Sequence, residues 1–495
     1  MTVPRIAWRP LAFLLVAVGA ILSSVSGRYG FHRDELYFVV AGRHLAAGYV
    51  DQPPLTPLLA RLSTAVFGTT PAGLRVVATL ATMASVLLVA LIARELGGGR
   101  TVQVLAGICA AASAYPAVVG HMVSTATFDL LGCLAVSWLV LRTLRTRNGR
   151  WWLAVGAAAG LALLNKDLVL VLLAAVAVGV LAVGPRAALR TWWLPAGVVV
   201  ALVVASPNLI WQAVHGWPQL TVAAGISADD GMDNRIQFVP QQLVYLSPVF
   251  VPAWIAGLVR LWRDYSVRWA RSFGLAYPVA CAVVLLIGGK SYYVIPLLLV
   301  PLAAGVEPAL CWFRRGRSRV RHALGVVGLT LAAAVTAFIA LPLLPAHLLG
   351  PSGVLAMNKE SGEQVGWPGF TAAVADGWRQ IPAGRRATAA IFASNYGEAG
   401  AITLYGPRLG LPRPYSGHMS FADWGRPPDT ATGPVLVVHQ DGDRVPPSWF
   451  TGCRPVARND DGVGVDNEEQ GAVVELCAAP ARPWSQLWPA LRHYY

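Results

Sequence analysis

Charge is scarce in this sequence. Only 13% of its 495 residues are Asp, Glu, Lys or Arg, about half the share of an average soluble domain, which is roughly 25%. Too little polar surface is available to clothe a soluble protein of this size, so the three soluble domains that length alone would suggest are set aside. Lysine is scarcer still: among 39 basic residues there are three, Lys166, Lys290 and Lys359. The six cysteines form no Cys-x-x-Cys and no Cys/His spacing, which argues against a zinc site. No internal repeat and no low-complexity tract breaks the chain, which excludes a repeat array.

Apolar length is what the chain has instead. Hydrophobic residues make up 55% and the mean hydropathy is +0.54. A helix crossing about 30 Å of hydrocarbon needs roughly 17 to 25 such residues. Eleven stretches qualify or nearly so: 10–27, 72–93, 101–120, 122–141, 151–165, 168–184, 192–210, 241–259, 271–288, 291–308 and 322–341. Tight hairpins at His121, at Asn165-Lys166-Asp167 and at Gly288-Gly289-Lys290 belong to that expectation. The first run follows Arg5 and Arg9, as a signal peptide would, yet the runs behind it favour an uncleaved anchor.

The net charge of +14 would suit nucleic acid if the basic residues clustered on one surface. They sit between the apolar runs. With the N-terminus in the cytoplasm, nineteen arginines fall in internal segments, among them Arg94, Arg142, Arg260, Arg317 and Arg321, against eight basic residues in external segments before residue 342. That is the positive-inside pattern of a multi-pass protein, and it removes the argument for nucleic acid. An odd number of spans then places residues 342–495 outside, with the loop 28–71. We therefore expect a polytopic α-helical membrane protein with about eleven transmembrane helices (1–341) and a small extracytoplasmic α/β domain (342–495), joined through 342–370.

In that last region 387–394, 434–439 and 472–478 read as short buried strands and Gly397 to Tyr405 as a helix. Cys453 and Cys477 both fall there, and in an oxidising compartment they suit a disulfide. The other four cysteines sit in or beside spans as small apolar residues. Asp441-Gly442-Asp443 could pass for a metal-binding triplet, but after a short strand Asp-Gly is turn chemistry. Asp229, Asp230 and Asp233 read as a solvated acidic loop, with a divalent cation as the alternative.

Ionisable groups at membrane depth are expensive and mark function by default. Arg33, Asp34 and Glu35 follow the first span directly. Asp129 sits near the outer end of the fourth span, Lys166 at one outer hairpin, and Lys290 with Tyr292 and Tyr293 at another. Singly, each cation could be snorkelling to the interface. Together, on one face with a carboxylate pair, they suit an anion and a proton acceptor. Transfer of a glycosyl group from a lipid phosphate needs that combination. Cations stabilise the phosphate as it leaves, a carboxylate takes the proton of the attacking hydroxyl, and the lipid tail holds the reaction at the interface.

Five segments carry a family resemblance: HRDELYF with AGRHLAAGYVDQPPL, SPNLIWQAVHGWP at 206–218, GKSYYVIPLLLVPLAAG at 289–305, SNYGEAGAITLYG at 394–406 and the closing RPWSQLWPALRHY. The chain resembles the bacterial dolichyl-phosphate-mannose-protein mannosyltransferase-like proteins and the aminoarabinose transferases, whose fold is GT-C. The resemblance implies an inverting transferase that takes sugar from a polyprenyl-phosphate donor to a protein, glycan or lipid acceptor. It implies Asp34 as general base with Glu35 in support, Asp129 as the second acidic position, near acceptor or metal, and Lys166, Lys290 and Tyr293, joined by Arg33, near the donor phosphate. It names no cofactor, and a divalent metal stays open. The rival from another class is a transporter or lipid flippase, whose mark would be two similar halves with helices broken at the midplane; no such pairing is visible. A non-catalytic envelope scaffold is a third reading, favoured if Asp34 lies exposed and far from Lys290.

Overall fold

The computed structural model describes residues 3–315, 318–443 and 445–494; Arg317, counted above among the internal arginines, lies outside them. Among the described residues sixteen α-helices precede residue 342. They are α1 (Trp8–Val25), α2 (Arg33–Ala41), α3 (Leu55–Phe67), α4 (Pro71–Glu95), α5 (Arg100–Ala111), α6 (Ala114–Gly120), α7 (Thr125–Thr146) and α8 (Trp151–Leu163). There follow α9 (Val169–Val183), α10 (Trp193–Val214), α11 (Pro218–Asp229), α12 (Gly231–Leu246), α13 (Val251–Arg263), α14 (Arg271–Leu286), α15 (Ile295–Arg314) and α16 (Arg319–Ala340).

Among the described residues seven helices are long and apolar enough to cross a membrane, or nine if two bent pairs each make one span. α8 and α9 are apolar but shorter. Each of the eleven expected stretches coincides with one of these helices or pairs, so the polytopic helical reading is borne out. The bends are new. α5 and α6 meet at 65°, and α12 meets the helix after it at 84°. At the second break Ser247 takes a positive φ of 75°, and Pro248 behind it has no N–H to carry a helix across. The acidic stretch read as a solvated loop is in fact helical on both sides, since α11 ends at Asp229 and α12 begins at Gly231. Helix packing inside the bundle relies on small residues. A Cβ added at Gly257 of α13 would lie 1.8 Å from the Pro301 carbonyl oxygen of α15.

Beyond residue 342 lie α17 (Val354–Met357), α18 (Trp367–Arg379), α19 (Tyr396–Tyr405) and α20 (Trp484–Leu491). The strands are β1 (Ala390–Ala393), β2 (Pro414–Ser416), β3 (Val435–His439), β4 (Phe450–Thr451), β5 (Arg454–Arg458), β6 (Val473–Cys477) and β7 (Ala479–Pro480). Five strands form a mixed sheet in the order β2-β1-β3-β6-β5, and β4 pairs with β7. β1 runs parallel to β2 and β3, while β6 is antiparallel to β3 and β5. Buried Ile391, Phe392, Leu436 and Val437 explain why β1 and β3 are central: parallel strands are covered on both faces and read as continuous apolar runs. The expected strands and helix correspond to β1, β3, β6 and α19; β2, with three residues, and β5, with an arginine at each end, gave no comparable signal. Cys453 and Cys477 are bridged. The stretch 342–370, expected as a linker, carries α17, a 3-10 segment at Lys359–Gln364 and the start of α18.

The C-terminal region packs directly on the loop between the first two long helices. Phe31, Leu36 and Val39 share one core with Phe370, Ile391, Ala399 and Leu436. α19 lies so close to α2 that a Cβ at Gly400 would stand 2.9 Å from that of Leu36.

Candidate active site

The site is built on the first turn of α2. His32 caps the helix by accepting from the Asp34 N–H at 3.1 Å, and the Glu35 carboxylate accepts from the His32 N–H at 2.9 Å. This is a capping box with His in place of the usual Ser or Thr. Successive helical residues are about 100° apart, so the two carboxylates face different ways. Glu35 is fully buried. It holds the Arg75 guanidinium at 2.9 and 2.7 Å and accepts from the Val123 N–H at 2.9 Å. Arg75, itself fully buried, also donates to the carbonyls of Ser26 at 2.8 Å and Gly30 at 2.7 Å. The pair therefore fixes where α2 starts.

Asp34 turns instead into a cavity of about 620 Å³. Its Oδ1 accepts from the Tyr396 hydroxyl at 2.7 Å, a residue of α19. Arg33 and Lys290 line the same cavity. Arg33 is committed elsewhere: it pairs with Glu468 and lies over the Tyr396 ring at 5.1 Å. Lys290 stands 3.9 Å from Asp230, and burial together with the neighbouring ammonium groups of Lys359 and Lys166 lowers its pKa against the pull of Asp230 and Glu360. Residues 359–363 form another wall. Glu360 pairs with His32 at 2.9 Å, and this bond and charge overcome burial to hold its carboxyl at about 2. Burial lifts Glu363 to about 7 against the charge of Arg33.

Three of the expected residues gather one layer back. The Lys166 ammonium lies 3.4 Å from the Tyr292 hydroxyl and over the rings of Tyr292 and Tyr293, at 5.3 and 5.2 Å. Asp129 is buried within electrostatic reach of Lys166. Tyr292 is the link, since its ring also lines the cavity. Of the seven residues singled out in the sequence, Arg33, Asp34 and Lys290 thus share the cavity wall, Lys166, Tyr293 and Asp129 stand behind Tyr292, and Glu35 belongs to the buried Arg75 lock. The third reading, an exposed Asp34 far from Lys290, loses its premise.

Sequence reasoning missed Tyr396, Lys359, Glu360, Glu363 and Glu468. Tyr396 lies within the segment SNYGEAGAITLYG, a motif whose spacing alone assigns it no role. Asp51, which the sequence offers as an alternative base on the same external loop, lies nearby: its Oδ1 accepts from the Tyr37 hydroxyl at 2.6 Å, and burial, reinforced by the like charge of Asp34, raises its carboxyl to about 6. Among the described residues one group has metal-like spacing, Cys453, Glu475 and Cys477, and its two thiols are joined in the disulfide. Asp441 and Gly442 form a turn, with φ +90° at Gly442 and Asp441 held by Arg458 at 3.1 Å.

Residues 51–211 match the family described as dolichyl-phosphate-mannose-protein mannosyltransferase. Among solved structures, ArnT from Cupriavidus metallidurans in the apo state superposes with a TM-score of 0.56 at 16% identity, over 94% of this chain and 97% of that one. The same protein bound to undecaprenyl phosphate gives 0.56 at 17% identity, with 94% and 97% covered. The archaeal oligosaccharyltransferase AglB from Archaeoglobus fulgidus, in complex with an inhibitory peptide and a dolichol-phosphate, gives 0.51 at 12% identity over 80% of this chain and 63% of that one. No protein of curated function matches the sequence. The chain is thus a multi-pass membrane protein with the GT-C fold. The likeness to the dolichyl-phosphate-mannose-protein mannosyltransferases that its motifs carry is borne out by the match within residues 51–211.

Proposed function

We propose that this protein moves a sugar from a polyprenyl-phosphate donor to an acceptor hydroxyl in the 620 Å³ cavity, with inversion at the anomeric carbon and Asp34 as general base. In this reading residues 1–341 form the catalytic module and 342–495 an extracytoplasmic domain that closes over it. The observation that carries it is the shared wall: a carboxylate, Asp34, and an ammonium, Lys290, face one cavity beside apolar helix ends. Further support comes from fold relatives that bind undecaprenyl phosphate or dolichol-phosphate.

The acceptor oxygen attacks the anomeric carbon from the face opposite the phosphate. The carbon–oxygen bond to the acceptor forms as the bond to the phosphate oxygen breaks, its electron pair leaving with the phosphate. The hydroxyl proton passes to the Asp34 oxygen that Tyr396 does not hold. Lys290 meets the charge that develops on the leaving group, with Lys166 behind it. A charge-matched donor placed where charge grows is worth more in the transition state than in the ground state. The acceptor class, whether protein, glycan or lipid, follows from what fills the remainder of the cavity.

A positioned base contributes about 10²- to 10⁴-fold. Asp34→Asn keeps shape and removes basicity. We expect it to abolish transfer from a synthetic polyprenyl-phosphate sugar while the purified variant still melts cooperatively and binds the lipid. Turnover above about a tenth of wild type would show that Asp34 is not the base.

A further inference from the structure

The three lysines of this chain meet in one place. Thirty-six of its 39 basic residues are arginine, so an ammonium is the exception here. Lys290 and Lys359 both line the cavity that holds Asp34, and Lys166 touches the hydroxyl of Tyr292, whose ring lines it too. Lys359 comes from the C-terminal region, and its backbone is anchored. The next residue, Glu360, is bound to His32, Gln364 at the end of the same 3-10 segment reaches Arg75 at 3.1 Å, and Asn358 before it donates to the Ile339 carbonyl at 2.9 Å.

The cations of the cavity differ in what they have left to give. Arg33 is taken by Glu468, His32 by Glu360, and Lys290 stands near Asp230. Among the described residues Lys359 makes no direct ion pair, and it is exposed to the cavity's solvent. The nearest carboxylate on its own segment, Glu360, already has its partner. Two ammonium groups on one wall repel each other until an anion comes between them, and burial has already lowered the pKa of Lys290 beside Lys359. A compact ammonium with three rotatable donors suits a phosphate oxygen approached as a point charge. The same wall continues into Ile339 and Leu355, apolar surface along which the first units of a lipid tail can leave.

We propose that Lys359, together with Lys290, holds the phosphate of the lipid-linked donor, so that the C-terminal region supplies a phosphate ligand to the cavity. This rests on the glycosyltransferase reading above and adds to it a residue that reading does not contain. The consequence is that the donor site is complete only when Lys359–Gln364 is docked on α2.

The test uses the full chain in detergent and measures binding of a polyprenyl phosphate without sugar, with inorganic phosphate as a second probe. Lys359→Ala should weaken polyprenyl-phosphate binding by about tenfold, roughly the worth of one charge-assisted contact, and Lys359→Arg should restore most of it. Wild-type affinity in Lys359→Ala with weakened binding in Lys290→Ala overturns the role of Lys359 and leaves the donor reading standing. Wild-type affinity in both variants overturns the role of Lys359 and the phosphate reading of the cavity together. If inorganic phosphate binds as tightly as the lipid and is lost in Lys359→Ala, the site serves free phosphate and the donor assignment falls. A thermal melt of each variant accompanies the titrations, and Lys359→Gln replaces the alanine variant should that one fail to fold.

Discussion

Asp34 and Glu35 are neighbours in sequence and differ in almost everything that decides chemistry. Glu35 meets four donors and no solvent, so its charge is spent on holding Arg75 and the cap of α2. Asp34 meets one hydroxyl, that of Tyr396, and keeps a second oxygen for the cavity. A tyrosine that donates to one carboxylate oxygen fixes the plane in which the other points. Tyr396 is itself fixed, by the Tyr37 ring at 5.1 Å and the His418 ring at 5.0 Å. Tyr396→Phe retains that packing and deletes the donor. A hydrogen bond to a charged group is worth about 1.5–3 kcal/mol, so we expect kcat to fall roughly tenfold to a hundredfold with the donor KM and the thermal melt little changed. Steady-state kinetics at saturating acceptor check this. A rise in KM with kcat intact would place Tyr396 in donor binding instead.

At the scale of elements, the Glu35–Arg75 pair ties α2 to α4 and, through Gln364, to the segment before α18. Removing one partner of a buried ion pair leaves the other uncompensated and costs about 3–5 kcal/mol. Glu35→Gln should therefore lower the melting temperature sharply, and whatever activity it loses should follow the folded fraction. The double variant Glu35→Met with Arg75→Leu should recover part of that stability. A Glu35→Gln protein that melts as wild type yet turns over slowly would return Glu35 to the chemistry. Elements are also where the sequence was most and least informative. Apolar length revealed every helical span, because a bilayer demands about 20 apolar residues whatever the neighbours are, and two cysteines in one region pointed to their bridge. The bends at Ser113 and Ser247 left no such mark. Nor did the cavity's third wall: Tyr396 lies 362 residues from Asp34, and nothing local to either distinguishes a glutamate or tyrosine that meets α2 from one that meets water.

The whole molecule has two ends that the chain keeps apart. α2, the cavity and the C-terminal region lie where α4 begins, at Pro71, whereas Glu95 at its far end is met by Arg142 at 3.1 Å and Arg145 at 2.5 Å. Arg94 meets Glu95 there as well, and in the sequence nineteen arginines fall in the segments assigned to that side, against eight basic residues in the opposite segments before residue 342. Positively charged short loops are retained on the cytoplasmic side, so the cavity should open on the opposite side, together with the C-terminus. This matters for the proposed chemistry, in which a polyprenyl-phosphate sugar and its acceptor have to meet in the compartment onto which the cavity opens. It also accords with the disulfide of Cys453 and Cys477, which persists in an oxidising compartment. Single cysteines introduced at exposed positions of each end separate the alternatives. Arg385→Cys in the C-terminal region should react with a membrane-impermeant maleimide on intact cells, and Arg147→Cys, just beyond α7, only after permeabilisation. The reverse labelling pattern would put the cavity in the cytoplasm, and a donor carried on the outer leaflet would then have no access to Asp34.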